Sequence, residues 1–292
     1  KAQEKEQDQS SDVEITKESD YPIVNGKNFV NPVQGATTAN ITHNDFHEYR
    51  GRYIHKAIDV KGFPIGTPVL AVADGKITAV KSSDEYNSKV KTYADFINSK
   101  IRSGDLLSDS IKSMDFAFNS YKKDKAKQRR FMRQKKNLKT RNERQFQNAP
   151  GDSWDNFRKW NIKTLGPKIG QTLLRYYISK GESAATGLGI AGTKVTLLTD
   201  PDQHGNQFTV INLHLSETNV SVGQTVKAGQ VIGKLGNTAI FDEGGEHLHL
   251  SIIAKGTNNF LQTQKIDNKD KAVTLGGKVD PETLIPGLKS DH

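Results

Sequence analysis

The sequence predicts a mainly β protein interrupted by an inserted, basic α-helical subdomain, and three observations predict it. On both sides of a central stretch, Val, Ile and Thr alternate with polar residues, and Gly or Pro punctuates the runs, the pattern of short strands. The central stretch has almost no Gly or Pro between Asp105 and Ala149, and its apolar residues recur at helical spacing, as at Ile111, Met114, Phe118 and Tyr121. Charge separates it too. Residues 84–185 hold 23 Lys/Arg and 11 Asp/Glu, a net +12 in a chain of net +9, so the remainder carries −3, the difference between those two values.

From Lys1 to Asp20 the chain is rich in Glu, Gln, Lys, Asp and Ser, a composition that alone stays disordered. It is expected to order only against a partner, within a larger assembly such as a phage tail. The chain has no initiator Met, no apolar signal core and no run of about twenty apolar residues, so it reads as a soluble, processed piece of a longer product without a transmembrane segment. It has no cysteine, which excludes thiolate ligands, Cys nucleophiles and disulfides.

The strand-like runs carry the chemistry. In Glu246-His247-Leu248-His249-Leu250, alternation puts both imidazoles on one face and both leucines on the other. In His55-Lys56-Ala57-Ile58-Asp59-Val60, an extended strand would place His55, Ala57 and Asp59 on one face and turn Ile58 and Val60 to the core. In Val210-Ile211-Asn212-Leu213-His214-Leu215-Ser216, His214 is expected on the polar face and Ile211, Leu213 and Leu215 on the apolar one. A hydrolytic zinc site needs about three ligands from His and Asp/Glu plus an open position. His55, Asp59 and one of His247 or His249 would supply them.

These residues stand in a recognisable order. His55-x-x-x-Asp59, the turn Gly66-Thr67-Pro68-Val69 leading to Ala73-Asp74-Gly75, Asn212-Leu213-His214-Leu215-Ser216, Val226-Lys227-Ala228-Gly229-Gln230-Val231-Ile232-Gly233, Gly236-Asn237-Thr238 and His247-Leu248-His249 together resemble the M23 zinc endopeptidases of the LytM/lysostaphin type. The resemblance covers residues 28–83 and 186–253. It implies a mainly antiparallel β-sheet peptidase domain with an open groove, a zinc ion held by His55, Asp59 and His249, and His214 and His247 acting on the water and the oxyanion. It also implies a substrate, the peptide of bacterial peptidoglycan, cut in the stem or cross-bridge, and a place outside the cell, in the envelope or on a virion.

The sequence departs from the family pattern at Ala57, Ala239, Glu246, Leu250 and Ser251, and none of these changes removes a ligand. Glu246 beside the cleft either alters substrate charge preference or is a solvated loop residue. The resulting domain plan is a polar segment over 1–27, a peptidase domain over 28–83 and 186–288, and the insert over 84–185. Gly277-Lys278-Val279-Asp280-Pro281 resembles the domain's closing segment. His43, His47, His204 and His292 are expected on the surface or in loops, His204 in a hairpin turn.

The insert is densest in charge between Lys122 and Arg144, where twelve cations face only Asp124 and Glu143. Such a block suits a polyanion or an acidic protein partner. Trp154, Phe157 and Trp160, with Ile162, Leu165, Leu173 and Leu174, are expected to form the insert's core rather than a nucleic-acid platform. Two other classes fit less of the sequence. A non-catalytic module that keeps the fold for binding leaves the full ligand set unused. A biotinyl- or lipoyl-like carrier, suggested by the turn pattern of Val220 to Gln230, lacks the exposed hairpin lysine and leaves the histidines unexplained.

Overall fold

A computed structural model describes residues 21–41, 46, 55–238, 245–255, 262–266, 269–273 and 277–288. The ordering of residues 1–20 by a partner, the surface placement of His43, His47 and His292, and Ala239 all lie outside the described residues. Strands run over Ile23–Val24 (β1), Lys27–Asn28 (β2), Ile58–Lys61 (β3), Pro68–Leu70 (β4), Gly75–Lys81 (β5), Thr193–Thr199 (β6), Gln207–Leu215 (β7), Glu217–Thr218 (β8), Thr225–Val226 (β9), Val231–Lys234 (β10), His247–Lys255 (β11), Gln262–Ile266 (β12), Lys269–Val273 (β13) and Lys278–Val279 (β14). Between β5 and β6 come helices Ser83–Arg102 (α1), Asp105–Ser120 (α2), Lys125–Leu138 (α3), Trp154–Thr164 (α4), Pro167–Ser179 (α5) and Ser183–Leu188 (α6). The fold is a mainly β core with a helical region.

The main sheet has the order β14, β11, β7, β6, β5, β9, with β3 also paired to β11. All its pairings are antiparallel. A smaller antiparallel sheet, β4, β10, β8, packs with it around one apolar cluster that includes Ile58, Val60, Val195, Phe208, Val210, Leu248, Leu250 and Ile252. Burying side chains of this size stabilises the fold by roughly 1.5–3 kcal/mol each. The β11 alternation is as the sequence predicts, with Leu248 and Leu250 in the core and both histidines on the other face.

Two strand readings need correction. β3 begins at Ile58, so His55 lies before the strand, across a bend at Ala57, rather than sharing its pleat with Asp59. On β7 the core-facing residues are Phe208, Val210 and Leu215, whereas Ile211 and Leu213 are half-buried. Leu213 is the cross-strand partner of His249, so it stands on the histidine face. The alternation changes at a β-bulge, where Thr193 of β6 pairs with Leu215 and Lys194 with Leu213, leaving His214 as the extra residue.

Asp74, at the entry to β5, ties three segments together. Its carboxylate accepts from Asn25 Nδ2 at 3.1 Å, Lys227 Nζ at 2.8 Å and the Ala228 backbone N–H at 2.7 Å. Burial raises the Asp74 pKa, but these donors outweigh it and hold the group down at about 2. His204 is exposed in the β6–β7 hairpin, where Asp202 Oδ1 accepts its backbone N–H at 2.9 Å.

The helices have their own core. Ser82 caps α1 by accepting the Glu85 N–H at 3.1 Å, with Asp84 and Glu85 in the first turn and Lys100 and Arg102 in the last, each placed to suit the helix dipole. Tyr86, Tyr93, Met114, Phe157, Leu165, Leu173, Leu174 and Tyr177 are buried together, with Trp154 and Trp160 beside them. Ile162 is not part of this core and is 45% exposed. Two residues past Trp160 on a helix is a turn of about 200°, which carries Ile162 to the opposite face.

Candidate active site and metal centre

Three elements bring the five sequence-predicted residues together. Direct cross-strand pairing on β3 and β11 sets Asp59 opposite His249. His249 Nδ1 lies 2.9 Å from Asp59 Oδ1 and 3.2 Å from His55 Nε2, and that nitrogen is 3.5 Å from the same carboxylate oxygen. His55 and Asp59 are buried, while His249 is half-buried and forms the more open edge.

This trio fits a metal ion. A tetrahedral centre with bonds of about 2 Å needs ligand atoms about 3.3 Å apart, and the three contacts just given bracket that spacing. Two imidazole nitrogens and a carboxylate oxygen are a donor set for zinc. The Asp59 carboxyl is buried, which raises its pKa, yet the His249 hydrogen bond and the surrounding imidazoles lower it further than burial raises it. Burial lowers the His249 pKa against the opposing pull of Asp59. Both groups are therefore held in the deprotonated forms that ligate.

His247 and His214 complete the cluster. The His247 ring Nδ1 is 3.0 Å from the Gly245 carbonyl oxygen. A carbonyl only accepts, so the neutral ring carries its proton on Nδ1 and presents a lone pair at Nε2, which is 3.8 Å from Asp59 Oδ1. The His214 ring lies 4.9 Å from that of His247 and 5.6 Å from that of His249, between centroids. Burial, then the two neighbouring imidazoles, lower its pKa well below the ordinary histidine value, against smaller opposing effects of Asp59 and the Ala191 carbonyl. His214 is thus neutral at pH 7. Its Nδ1 is buried with no protein hydrogen-bond partner.

His214 reaches this place through backbone geometry that a regular strand lacks. Its φ is +69°, a left-handed value that costs a non-glycine residue roughly 1–3 kcal/mol and persists only when the surroundings hold it. The holding segment is Gly236-Asn237-Thr238. Thr238 Oγ1 accepts from Thr193 N–H at 3.0 Å and donates to the Leu215 carbonyl at 2.9 Å, bridging the two strands across the bulge. Gly236 must be glycine, because a Cβ there would sit 2.3 Å from Ser216 N and 2.8 Å from the His214 carbonyl oxygen. Sequence reasoning had the motif but not this role.

With that geometry in view, the comparisons with known proteins fall into place. Residues 201–260 match the model of peptidase family M23, a span that contains His214, His247 and His249. This stretch of the chain is similar to peptidase family M23. An uncharacterised metalloprotease of Haemophilus influenzae is 39% identical over 93 residues, covering 32% of this chain and 18% of that protein. Peptidoglycan DD-endopeptidase ShyA of Vibrio cholerae is 46% identical over 54 residues, covering 18% of this chain and 12% of that one. The chain therefore spans less than a fifth of the length of these two relatives. The catalytic domain of the antimicrobial peptidase lysostaphin from Staphylococcus simulans aligns over 71% of each chain at 17% identity and a TM-score of 0.29. No helix of the described residues is long and apolar enough to cross a membrane.

Proposed function

We propose that the chain is a zinc-dependent endopeptidase that hydrolyses peptide bonds in the stem or cross-bridge of bacterial peptidoglycan. One observation carries the reading: His55, Asp59 and His249 converge at tetrahedral ligand spacing with two further imidazoles beside them, in a chain similar to peptidase family M23. The peptidoglycan substrate is supported by the name of the ShyA relative. That substrate puts the working protein outside the cytoplasmic membrane, in the envelope or on a phage tail.

His55, Asp59 and His249 would hold the zinc. The chemistry it supplies there is Lewis acidity, polarising the scissile carbonyl and making water nucleophilic near neutral pH. His247 accepts a proton at Nε2, since Gly245 holds the other ring proton on Nδ1. His214, kept neutral by burial, stands beside His247 and His249 as the second imidazole that acts on the water or on the oxygen that gains charge. Half-buried Leu213, on the same face, gives the groove an apolar wall.

The helical insert is proposed to bind a polyanion. Lys135 is neutralised by Asp115 at 2.6 Å and Lys127 lies 3.4 Å from Asp124, but Asp124 and Glu143 are too few for twelve cations. Lys127, Arg130, Lys168 and Arg175 line a cavity of about 60 Å³ between α2, α3 and α5 whose lining holds no carboxylate. The Arg175 Nε is buried there without a partner. Phosphate-rich wall polymers match that chemistry, and the Arg130→Gln/Arg175→Gln variant should lose most polyphosphate binding at low salt.

Mass-spectrometric digestion of purified peptidoglycan tests the main reading. New peptide ends should appear with the intact protein, vanish with chelator and return with zinc. Bound zinc without any cleavage would overturn the peptidase reading and leave a wall-binding module of the same fold.

A further inference from the structure

Two buried donors of the helical insert reach a short segment beside the candidate site. The Tyr86 hydroxyl, on α1, donates to the Thr238 carbonyl at 2.8 Å. The Trp154 indole N–H, at the start of α4, donates to the Asn237 carbonyl at 3.0 Å. The two rings pack 5.5 Å apart, and Lys81, at the end of β5, lies 5.2 Å over the Tyr86 ring while donating to the Leu188 carbonyl at the end of α6. Tyr86 is 1% exposed, so its hydroxyl has no water to turn to.

The segment these donors grip is the one that holds the bulge. Thr238 bridges Thr193 and Leu215 through its hydroxyl, and its N–H donates to the His214 carbonyl at 3.4 Å. Gly192, with φ +63°, admits this contact, since a Cβ there would lie 2.4 Å from the Thr238 carbonyl oxygen. A continuous run of hydrogen bonds therefore links α1 and α4 through residues 237–238 to the left-handed backbone of His214.

We infer that Tyr86 and Trp154 are positioning residues for His214: the insert fixes the Asn237-Thr238 segment, and that segment holds the imidazole against His247 and His249. The insert is then a structural part of the site rather than an appendage. The inference rests on the peptidase reading only where it concerns turnover, because the placement of His214 is a property of the protein itself.

The test uses the full chain with Tyr86→Phe and Trp154→Phe, which delete the donors and keep aromatic rings in place. Tyr93→Phe, the same change elsewhere on α1, is the control. In the metal-free protein, amide exchange at Leu215 and Thr238 should accelerate at least tenfold, and the His214 ring-nitrogen NMR signals should shift or broaden while those of His204 stay fixed. Zinc affinity should remain within about threefold of wild type, and kcat on a peptidoglycan peptide should fall about 10–100-fold with KM little changed.

Unchanged His214 signals and unchanged exchange in both variants overturn the inference, as does an identical response to Tyr93→Phe. Displaced His214 signals in a protein whose wild type never cleaves peptidoglycan uphold the positioning role and remove the peptidase reading instead. Should either aromatic variant fail to fold, Thr238→Val, an isosteric change, keeps the carbonyl that Tyr86 grips and removes the hydroxyl bridge to Thr193 and Leu215, cutting the run one step nearer His214. It must give the same His214 and exchange response, or the inference falls.

Discussion

Asp59 and His249 are direct cross-strand partners on β3 and β11, and Asp59 Oδ1 lies 2.9 Å from His249 Nδ1. A one-residue slip of either strand would turn one of the two to the core. Leu248, Leu250, Ile58 and Val60, all buried on the opposite face, therefore set the ligand geometry by fixing the register. Asp59→Asn and His249→Ala should each weaken zinc binding by more than about a hundredfold, since each removes a ligand rather than a supporting contact. Competition with a chromophoric chelator measures this, and an affinity within threefold of wild type in either variant would exclude the trio as the metal site.

His214 stands beside the trio rather than within it. His214→Ala should retain zinc and lose about 10²–10⁴-fold in peptide cleavage, the usual worth of a positioned proton-transfer or hydrogen-bonding side chain. Parallel zinc titration and turnover measurements separate the two effects. Loss of zinc in this variant would place His214 among the ligands.

Asp74 predicts an acid-stability window. Its folded pKa is about 2, below the ordinary 3.8, so its carboxylate stabilises the fold above pH 4. That contribution fades as pH falls from about 4 through about 2. Because Lys227 is largely exposed, about 1–2 kcal/mol is expected rather than the full shift. Urea denaturation of wild type and Asp74→Asn across pH 2–6 checks this: the stability gap should narrow at the acid end. A constant gap would mean that the ionised carboxylate is not what Asn25, Lys227 and Ala228 recognise.

Leu250 lies in the core directly behind the histidine face of β11. Leu250→Ala should cost about 2–5 kcal/mol through lost transfer energy and the cavity left behind. Chemical denaturation reads this directly. A cost below 1 kcal/mol would show that the sheet closes over the gap.

Much of the fold and site was legible because strand alternation and helix periodicity are local. His247 and His249 share a face opposite Leu248 and Leu250 by chain geometry alone, and the spacing of Trp154, Phe157 and Trp160 marks the inner face of α4 without any knowledge of what it packs on. Ile162 shows the limit, since apolar character says nothing about which side of the helix is covered.

By itself, then, the sequence determined the mainly β class, the helical and basic character of the insert, and the residue types able to bind a metal. Tertiary structure decided the rest. The bulge at His214 breaks the alternation of β7, so Leu215 enters the core although Leu213, two residues before it, faces the histidines, and a threonine more than twenty residues away bridges Thr193 and Leu215 across it. The closeness of His55 to His249, and the grip of Tyr86 and Trp154 on residues 237–238, join parts of the chain that pattern cannot relate. Period-two and period-3.6 rules act along one segment, whereas register, bulges and docking are set by hydrogen bonds and packing between segments.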